Sequence, residues 1–496
     1  MSTLFEALWN GDDDGVVRAL RDGADPETRE DGETALYRAA IGNQPVSVRL
    51  LLAAGADPAR RGGEDDADLP LCGAACGGYV EVVRALLAAG ADPDQEEGYG
   101  FTALAWAIRL GHTEVVRELL EAGAAPDRPG PDGSAPLVAA ARRGSAACVR
   151  ALLEHGAGSR AEALDEARRW IGADMAAVLR RGLVEGGGAG DTYEAVVRRV
   201  PEDGGVTVVV ELLGEDGAPT RSDERQTGHA AIATLLEGAL GIRAPHEELA
   251  GRALRCGDPS QDDWTTAVAA LTARPDPTVF TTATTWCEAP DPLRRALAIQ
   301  ILATLPGHRE SALPVLRELA SREGAEGRTP PPLPREPALS LAFALGQCGD
   351  ASVVPELLGL AGHPDGEVRR RVAASLTGLV PAGHAEAAGV LVGLSRDHEP
   401  RVRDWATLAL AELPDDTPAV REALAARLAD PDQETAAEAA RGLALRQDPR
   451  AVEALARILA DGDPDGPARE TALATLEHVP DPRTRTRLEW TAPRGR

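Results

Sequence analysis

Ten residues at a fixed spacing constrain this chain more than anything else in it. Gly11, Asn43, Gly78, Gly111 and Gly144 stand twelve residues before Gly23, Gly55, Gly90, Gly123 and Gly156, respectively. Glycine, with asparagine as its one tolerated substitute, lets a chain leave a helix in the left-handed conformation. The pairs therefore predict five helical hairpins, each with its two helices ended by the two members of a pair. Thr102 to Asp127 states the unit most clearly: TALAWAIRL has helical apolar spacing, Gly111 stops the first helix, and VVRELL runs into Gly123. One such hairpin is too small to bury its own apolar face and needs like-shaped neighbours on both sides.

Between the pairs recur VVRALRDGADP, VRLLLAAGADP, VVRALLAAGADP, VVRELLEAGAAP and VRALLEHGAG. With the first-helix starts Thr34-Ala-Leu, Leu69-Pro-Leu, Thr102-Ala-Leu and Ala135-Pro-Leu, residues 1–158 resemble the ankyrin repeat family. The histidine that usually closes the family's TPLH start is replaced by Tyr37, Cys72, Ala105 and Val138. The resemblance implies protein ligands, held by loop fingers and by the concave face of the first helices. Mapped onto this chain, that face carries Trp9 with Asn10, Ile41 with Gly42, Cys76 with Gly77, Arg109 with Leu110 and Arg142 with Arg143, running from apolar to basic. The fingers are acidic: Glu30 and Asp31, then Glu64, Asp65, Asp66 and Asp68, then Glu96 and Glu97. Such loops read equally as the solvated surface of an acidic protein. Tyr99 and Phe101 at a fingertip are either contact anchors, as interface aromatics often are, or packing within the finger. Cys72 and Cys76 lie one turn apart but have no second Cys pair or nearby His, so they read as core residues and no metal is expected.

A second repeat begins near residue 289. Its copies are DPLRRALAIQIL, PALSLAFAL, DGEVRRRVAASL, EPRVRDWATLAL, DQETAAEAARGL and DGPARETALATL. Taking Leu293, Pro337, Val368, Val402, Thr435 and Ala468 as equivalent gives steps of 44, 31, 34, 33 and 33. This array, residues 289–490, resembles HEAT repeats, particularly the short bacterial kind also found in bilin lyases. Asp291, Asp365, Asp432 and Asp465 stand where they can cap the helix starts. Arg294, Arg369, Arg403 and Arg469 follow, either as a face for an acidic partner or as bridges between repeats.

Residues 159–288 lose both periods. RAEALDEARRWIGADMAAVLRRGL reads as one or two capping helices, and residues 193–213 read as a hairpin of YEAVVRRV and VTVVVELL about a Pro-Glu-Asp-Gly-Gly turn. From His229 the text is helical again. The cluster Arg225-Gln-Thr-Gly-His229, beside Asp223 and Glu224, is the one place where a general base would be sought; its other reading is a hydrogen bonder at a helix start. The expected fold is mainly α, two α-solenoids joined by a helical segment with a small β-hairpin, followed by a tail at 491–496.

All 52 basic residues are Arg and none is Lys, which points to a GC-rich, actinobacterial genome and excludes Schiff-base and phosphate-loop lysines. The net charge of −27 excludes nucleic acid or an anionic membrane as a partner of the whole chain. No segment escapes that sign: residues 1–158 sum to −12, 159–290 to −9 and 291–496 to −6. The chain shows no N-terminal signal and no membrane-length apolar run, and its six scattered cysteines suit a reducing cytoplasm. Zincin, hydrolase-elbow, phosphate-loop, zinc-finger and deaminase signatures are missing, so no catalytic residue, cofactor or metal is expected. The reading is a cytoplasmic, non-enzymatic protein-binding scaffold or adaptor of undefined oligomeric state. The alternatives are a regulatory or immunity-type subunit acting through the middle segment, and a lyase-type enzyme on the HEAT array.

Overall fold

Each of the ten punctuating residues has positive φ, from +51° at Asn43 to +103° at Gly55, and each ends a helix. Between them lie five hairpins. Their first helices are α1 (Thr3–Asn10), α3 (Ala35–Ile41), α5 (Pro70–Gly77), α7 (Ala103–Leu110) and α9 (Pro136–Arg143). Their second helices are α2 (Asp13–Arg21), α4 (Pro45–Ala53), α6 (Val80–Ala88), α8 (Thr113–Glu121) and α10 (Ala146–Glu154). First helices stack on first and second on second, so the hairpins share one core built mostly from Ala, Leu and Val. Thr34 and Thr102 cap α3 and α7 by accepting the amides of Tyr37 and Ala105. The first finger is a two-stranded ribbon, β1 (Arg29–Glu30) against β2 (Glu33–Thr34).

This computed structural model describes residues 3–63, 67–185, 194–214, 217–274, 276–321, 333–463 and 465–491. Residues 1–270 and 271–496 form separate units. Among the described residues no helix is long and apolar enough to cross a membrane.

The first unit continues past its fifth hairpin. Helix α11 (Arg160–Trp170) packs on α9 and extends the inner layer, and α13 (His229–Ala239) packs on both α10 and α11 and extends the outer one. Together they form a sixth hairpin whose halves are separated in sequence. The excursion between them holds α12 (Met175–Glu185) and a sheet of β3 (Glu194–Glu202), β4 (Gly205–Leu213) and β5 (Pro219–Gln226), antiparallel in that order. The expected hairpin is thus present, turning at Asp203-Gly204, where both residues have positive φ. It carries a third strand that the sequence reading lacked. Met175 and Leu179 of α12 bury Val208 and Val210 of β4, giving the excursion a small core of its own. Helices α14 (His246–Cys256) and α15 (Asp262–Thr272) follow, and the buried Arg252 guanidinium ties α14 to Glu237 of α13 through two bonds of 2.7 and 2.8 Å.

The second unit pairs first helices Pro292–Thr304, Arg335–Gln347, Gly366–Leu376, Pro400–Glu412, Gln433–Leu445 and Pro467–Thr475 with second helices Arg309–Ser321, Val354–Leu360, Ala385–Leu394, Pro418–Arg427, Ala451–Asp461 and Pro482–Thr491. Asp291, Asp365 and Asp432 cap first helices as expected; the sixth is capped by Gly466, not by Asp465.

Gly144 and Gly156 share a φ near +81° and differ in surroundings. A Cβ on Gly156 would meet open space, whereas one on Gly144 would lie 2.1 Å from the Gln226 carbonyl oxygen and 2.6 Å from the His229 ring. Gly156→Ala is therefore expected to cost about 1 kcal/mol for the left-handed backbone. Gly144→Ala should cost roughly 2 kcal/mol more, because a packed contact must open. Urea unfolding with hydrogen exchange over α9 to α13 measures both; equal losses would mean that the Gln226–His229 segment does not dock there.

Candidate functional site

The concave-face residues fall into three groups. Trp9 is 53% exposed, with the Arg38 guanidinium 3.5 Å over its ring, and Ile41 is half-buried against Gly73 of α5. Neither has further candidates gathered around it. The second group is the finger before α7. Tyr99 is 66% exposed at its tip, while Phe101 stacks on Trp106 with centroids 4.2 Å apart. The acidic fingertip assignment fails at Glu97, which is buried and accepts the Trp106 indole N–H at 2.8 Å. Burial raises its pKa, and the indole bond opposes that. Asp68 is likewise held, by the Tyr37 hydroxyl at 3.0 Å, so the tyrosine that replaces the expected histidine builds a polar link of its own. Glu64, Asp65 and Asp66 lie outside the described residues.

The third group is the basic end of the face. Phe101, Arg109, Arg142 and Arg143 line one cavity of about 370 Å³, walled on the far side by Asp223, Glu224 and Arg225 of β5. Arg109 is exposed, with its guanidinium 5.7 Å from the Phe101 ring and 5.8 Å from that of Trp106. Leu110 does not line the cavity; its carbonyl oxygen accepts Arg143 Nη2 at 3.3 Å. Arg142 reaches Asp132 at 3.0 Å and Glu166 at 3.2 Å. Arg143 is 5% exposed and bonded through Nη2 to Glu224 at 2.7 Å, so it is a wall of the site and not an open contact. Five arginines and three carboxylates line the cavity, and Glu96 and Glu166 stand behind it, bonded to Arg128 and Arg142 at 3.2 Å each, so the basic face is paired with carboxylates around its rim. Strand β5 was the component missing from the sequence reading. PTRSDERQ has no apolar alternation, and it joins the sheet through backbone pairing with β4 at the edge.

The Arg225–His229 cluster has a structural role. The His229 ring is buried against Gly144, and the Gly228 amide donates to the Gly144 carbonyl at 3.1 Å. His112 packs in the same way two array steps earlier, with its ring over Gly78 and Nε2 at 3.0 Å from the Cys76 carbonyl oxygen. Burial depresses the His229 pKa to about 4, and Glu224, the proposed neighbour, is paired with Arg143 instead. A signal existed. Gly228-His229 with buried Ile232, Ala233 and Leu236 repeats the spacing of Gly111-His112 with Val115, Val116 and Leu119.

In the HEAT array the expected arginines divide. Arg369 grips Asp397 at 2.7 and 2.9 Å and the carbonyls of His363 and Pro364 at 2.9 Å each. Arg403 repeats this on Asp430, Asp397 and His398. In the first repeat Arg295, not Arg294, makes the equivalent carbonyl contacts, to Ala289 and Pro290, so the sequence register there was one residue out. Arg294 lies 5.5 Å from the Trp286 ring, and Arg469 is buried with Nη1 on the Leu459 carbonyl. These side chains lie at repeat junctions and do not form an open basic stripe.

A second cavity of about 360 Å³ adjoins His229, between Trp170, Met175, Val208 and Asp263. Among the described residues no group of His, Cys, Asp and Glu is placed to hold a metal. Comparison with known families finds ankyrin repeats (3 copies) at residues 4–97 and 71–165 and HEAT repeats at 335–411 and 421–492. No curated protein matches the chain.

Burial raises the Asp263 carboxyl to about 6, with nearby Asp262 adding and the Ala231 amide opposing. The folded state therefore holds this proton more tightly than the unfolded chain, whose value is about 3.9. Stability from Asp263 is complete below about pH 4 and is lost as pH rises to about 6. Asp263→Asn should melt above wild type at pH 7.5, with the difference vanishing near pH 4. A constant difference across that range would show that the carboxyl titrates normally.

Proposed function

We propose that the chain is a protein-binding scaffold that holds its partner in the groove between the α7 finger, the concave face of the fourth and fifth hairpins, and strand β5. Ankyrin and HEAT repeats are interaction folds, and their stacked hairpins offer extended surfaces without requiring a catalytic centre. The observation that carries the reading is the convergence of Phe101, Arg109, Arg142 and Arg143 on one cavity, with the exposed Tyr99 two residues from Phe101. Aromatic and arginine side chains at a concave centre are the usual anchors of an interface. A cytoplasmic location is part of the proposal, supported by six cysteines that form no disulfide.

The regulatory alternative requires a middle segment that acts independently. The docking of Gly228 and His229 on the fifth hairpin counts against it, since the segment completes the array. The lyase alternative requires convergent titratable groups on the HEAT array, where the arginines and aspartates instead bind one another across repeats.

Capture of partners from a lysate of the source organism tests the groove. Tyr99→Ala and Arg109→Ala alter exposed side chains on it, and Arg117→Ala alters an outer helix. Expected is one partner retained by wild type and Arg117→Ala and reduced at least tenfold by each groove variant. A partner bound equally by all would place the interaction elsewhere.

A further inference from the structure

We propose that the arginine-lined cavity is an oxyanion pocket, which takes a carboxylate or phosphoryl group borne by the protein segment held in the groove. The proposal rests on the scaffold reading and names the chemistry of its partner.

Its basis is a mismatch between donors and acceptors. Asp132 and Glu166 engage Arg142, and Glu224 engages Arg143 through Nη2 alone. Nε and Nη1 of Arg143 and Nη1 of Arg225 are buried and find no hydrogen-bond partner among the described residues. Arg109 lies against two ring faces and pairs with no carboxylate among the described residues. A guanidinium is charged at every accessible pH, so it cannot escape burial by losing its proton. Those atoms are closed off from the cavity, and buried guanidinium nitrogens without partners also occur at Arg38, Arg427 and Arg446; the donors that a guest could meet are the exposed Arg109 and the accessible part of the half-buried Arg225 guanidinium, which makes no side-chain hydrogen bond among the described residues.

Position favours an anionic guest over a water-filled cleft. Arg143 is pressed over Gly111, with Nη2 3.2 Å from where a Cβ would stand, and Arg225 is held 4.4 Å over the Trp170 ring. Both guanidinium planes are therefore fixed before any ligand arrives, which suits bidentate recognition of a planar or tetrahedral oxyanion. Burial holds Arg225 below the usual arginine value, and Asp223 is the strongest charge opposing this; repulsion from Arg142 and Arg143 lowers it further and is partly offset by Glu166. An oxyanion among them would relieve that repulsion. A cavity of about 370 Å³ suits one side chain and its charged group. A polyanionic backbone would instead meet the surrounding charge of a −27 chain.

Glu224 is the internal competitor. Its side chain is 42% exposed, and it occupies the accessible side of Arg143. Removing its charge should open the pocket, a gain that no folding defect imitates.

The test is isothermal titration of the full-length chain at low salt with inorganic phosphate, acetate, a hexaglutamate peptide and a glycine–alanine hexapeptide carrying one phosphoserine. Expected is saturable binding of at least one peptide, weakened at least tenfold by Arg109→Gln and by Arg225→Gln, tightened several-fold by Glu224→Gln and unchanged by Arg117→Gln. Preference for the phosphoserine peptide and phosphate assigns a phosphoryl source; preference for hexaglutamate and acetate assigns a carboxylate. The proposal is overturned if none of the four probes binds, if Arg117→Gln weakens binding as much as the groove variants, or if Glu224→Gln weakens it. Loss of a captured partner on Tyr99→Ala without oxyanion binding would leave the scaffold groove standing and remove this pocket. Oxyanion binding with the expected variant pattern, and capture indifferent to Tyr99, would do the reverse.

Discussion

First helices of the ankyrin array end in left-handed turns that leave carbonyl groups without intrahelical partners, and at four of the five ends the next unit supplies a donor to them. An uncovered helix end carries up to four carbonyls without an intrahelical partner, and burying one unbonded costs about 1–3 kcal/mol. His112 covers the end at Gly78, and the Gln226–His229 segment covers the end at Gly144. At Gly111 the position equivalent to His112 is Ser145, too short to reach back, and Arg143 takes over from the preceding helix. That substitution places an arginine beneath the groove. The charge of the candidate site is thus tied to how one repeat closes upon another.

The second array solves the same junction with charge. Arg369 and Arg403 each clamp the loop before their own helix and reach forward to an aspartate of the next repeat, so one side chain fixes both the turn and the stacking distance. Burial pushes the Asp430 carboxyl up, and Arg403 with Arg427 pulls it down further, leaving it below the ordinary range. Removing one partner of such a buried pair costs about 3–5 kcal/mol, because the other charge stays behind in a poor solvent. At the fifth first helix Ala436 replaces the arginine, and the junction relies on alanine packing and on Arg421 and Arg450 around Asp448. The ladder is built from local needs of each junction and has no continuous outward-facing row.

Repeat punctuation was fully legible in the sequence because backbone geometry restricts it to one or two residue types. The ten positive-φ positions follow from that restriction alone. Features that depend on partners distant in sequence were harder to read. Strand β5 is polar throughout and shows no period of two, since its pairing with β4 is backbone chemistry. The sixth hairpin was hidden because its halves, Arg160–Trp170 and His229–Ala239, lie on either side of an inserted sheet, although Gly228-His229 repeats the earlier pattern. The slip from Arg295 to Arg294 arose from aligning apolar positions in a helix whose neighbouring arginines look alike; only the carbonyl contacts separate them. Arg109, Arg142 and Arg143 were named from concave-face spacing, but spacing could not distinguish the exposed member from the buried one.

The insertion gives the array an end unlike its beginning. At the first hairpin the concave face is open, and Trp9 lies on its surface under a single arginine. At the fifth, the excursion folds back so that β5 stands across the groove, turning an open face into a cavity with fixed walls. A flat concave surface recognises a partner by area and shape, whereas a walled pocket also selects for the one group that fits its chemistry. The same excursion supplies both Glu224, which partly satisfies the pocket, and Arg225, which adds to its unmet charge. Its helix and sheet carry a core of their own, so the wall can be positioned without loosening the stack beneath it. Under the proposed reading, specificity in this unit is concentrated where the repeat pattern is interrupted, and the regular repeats serve to hold that interruption in register.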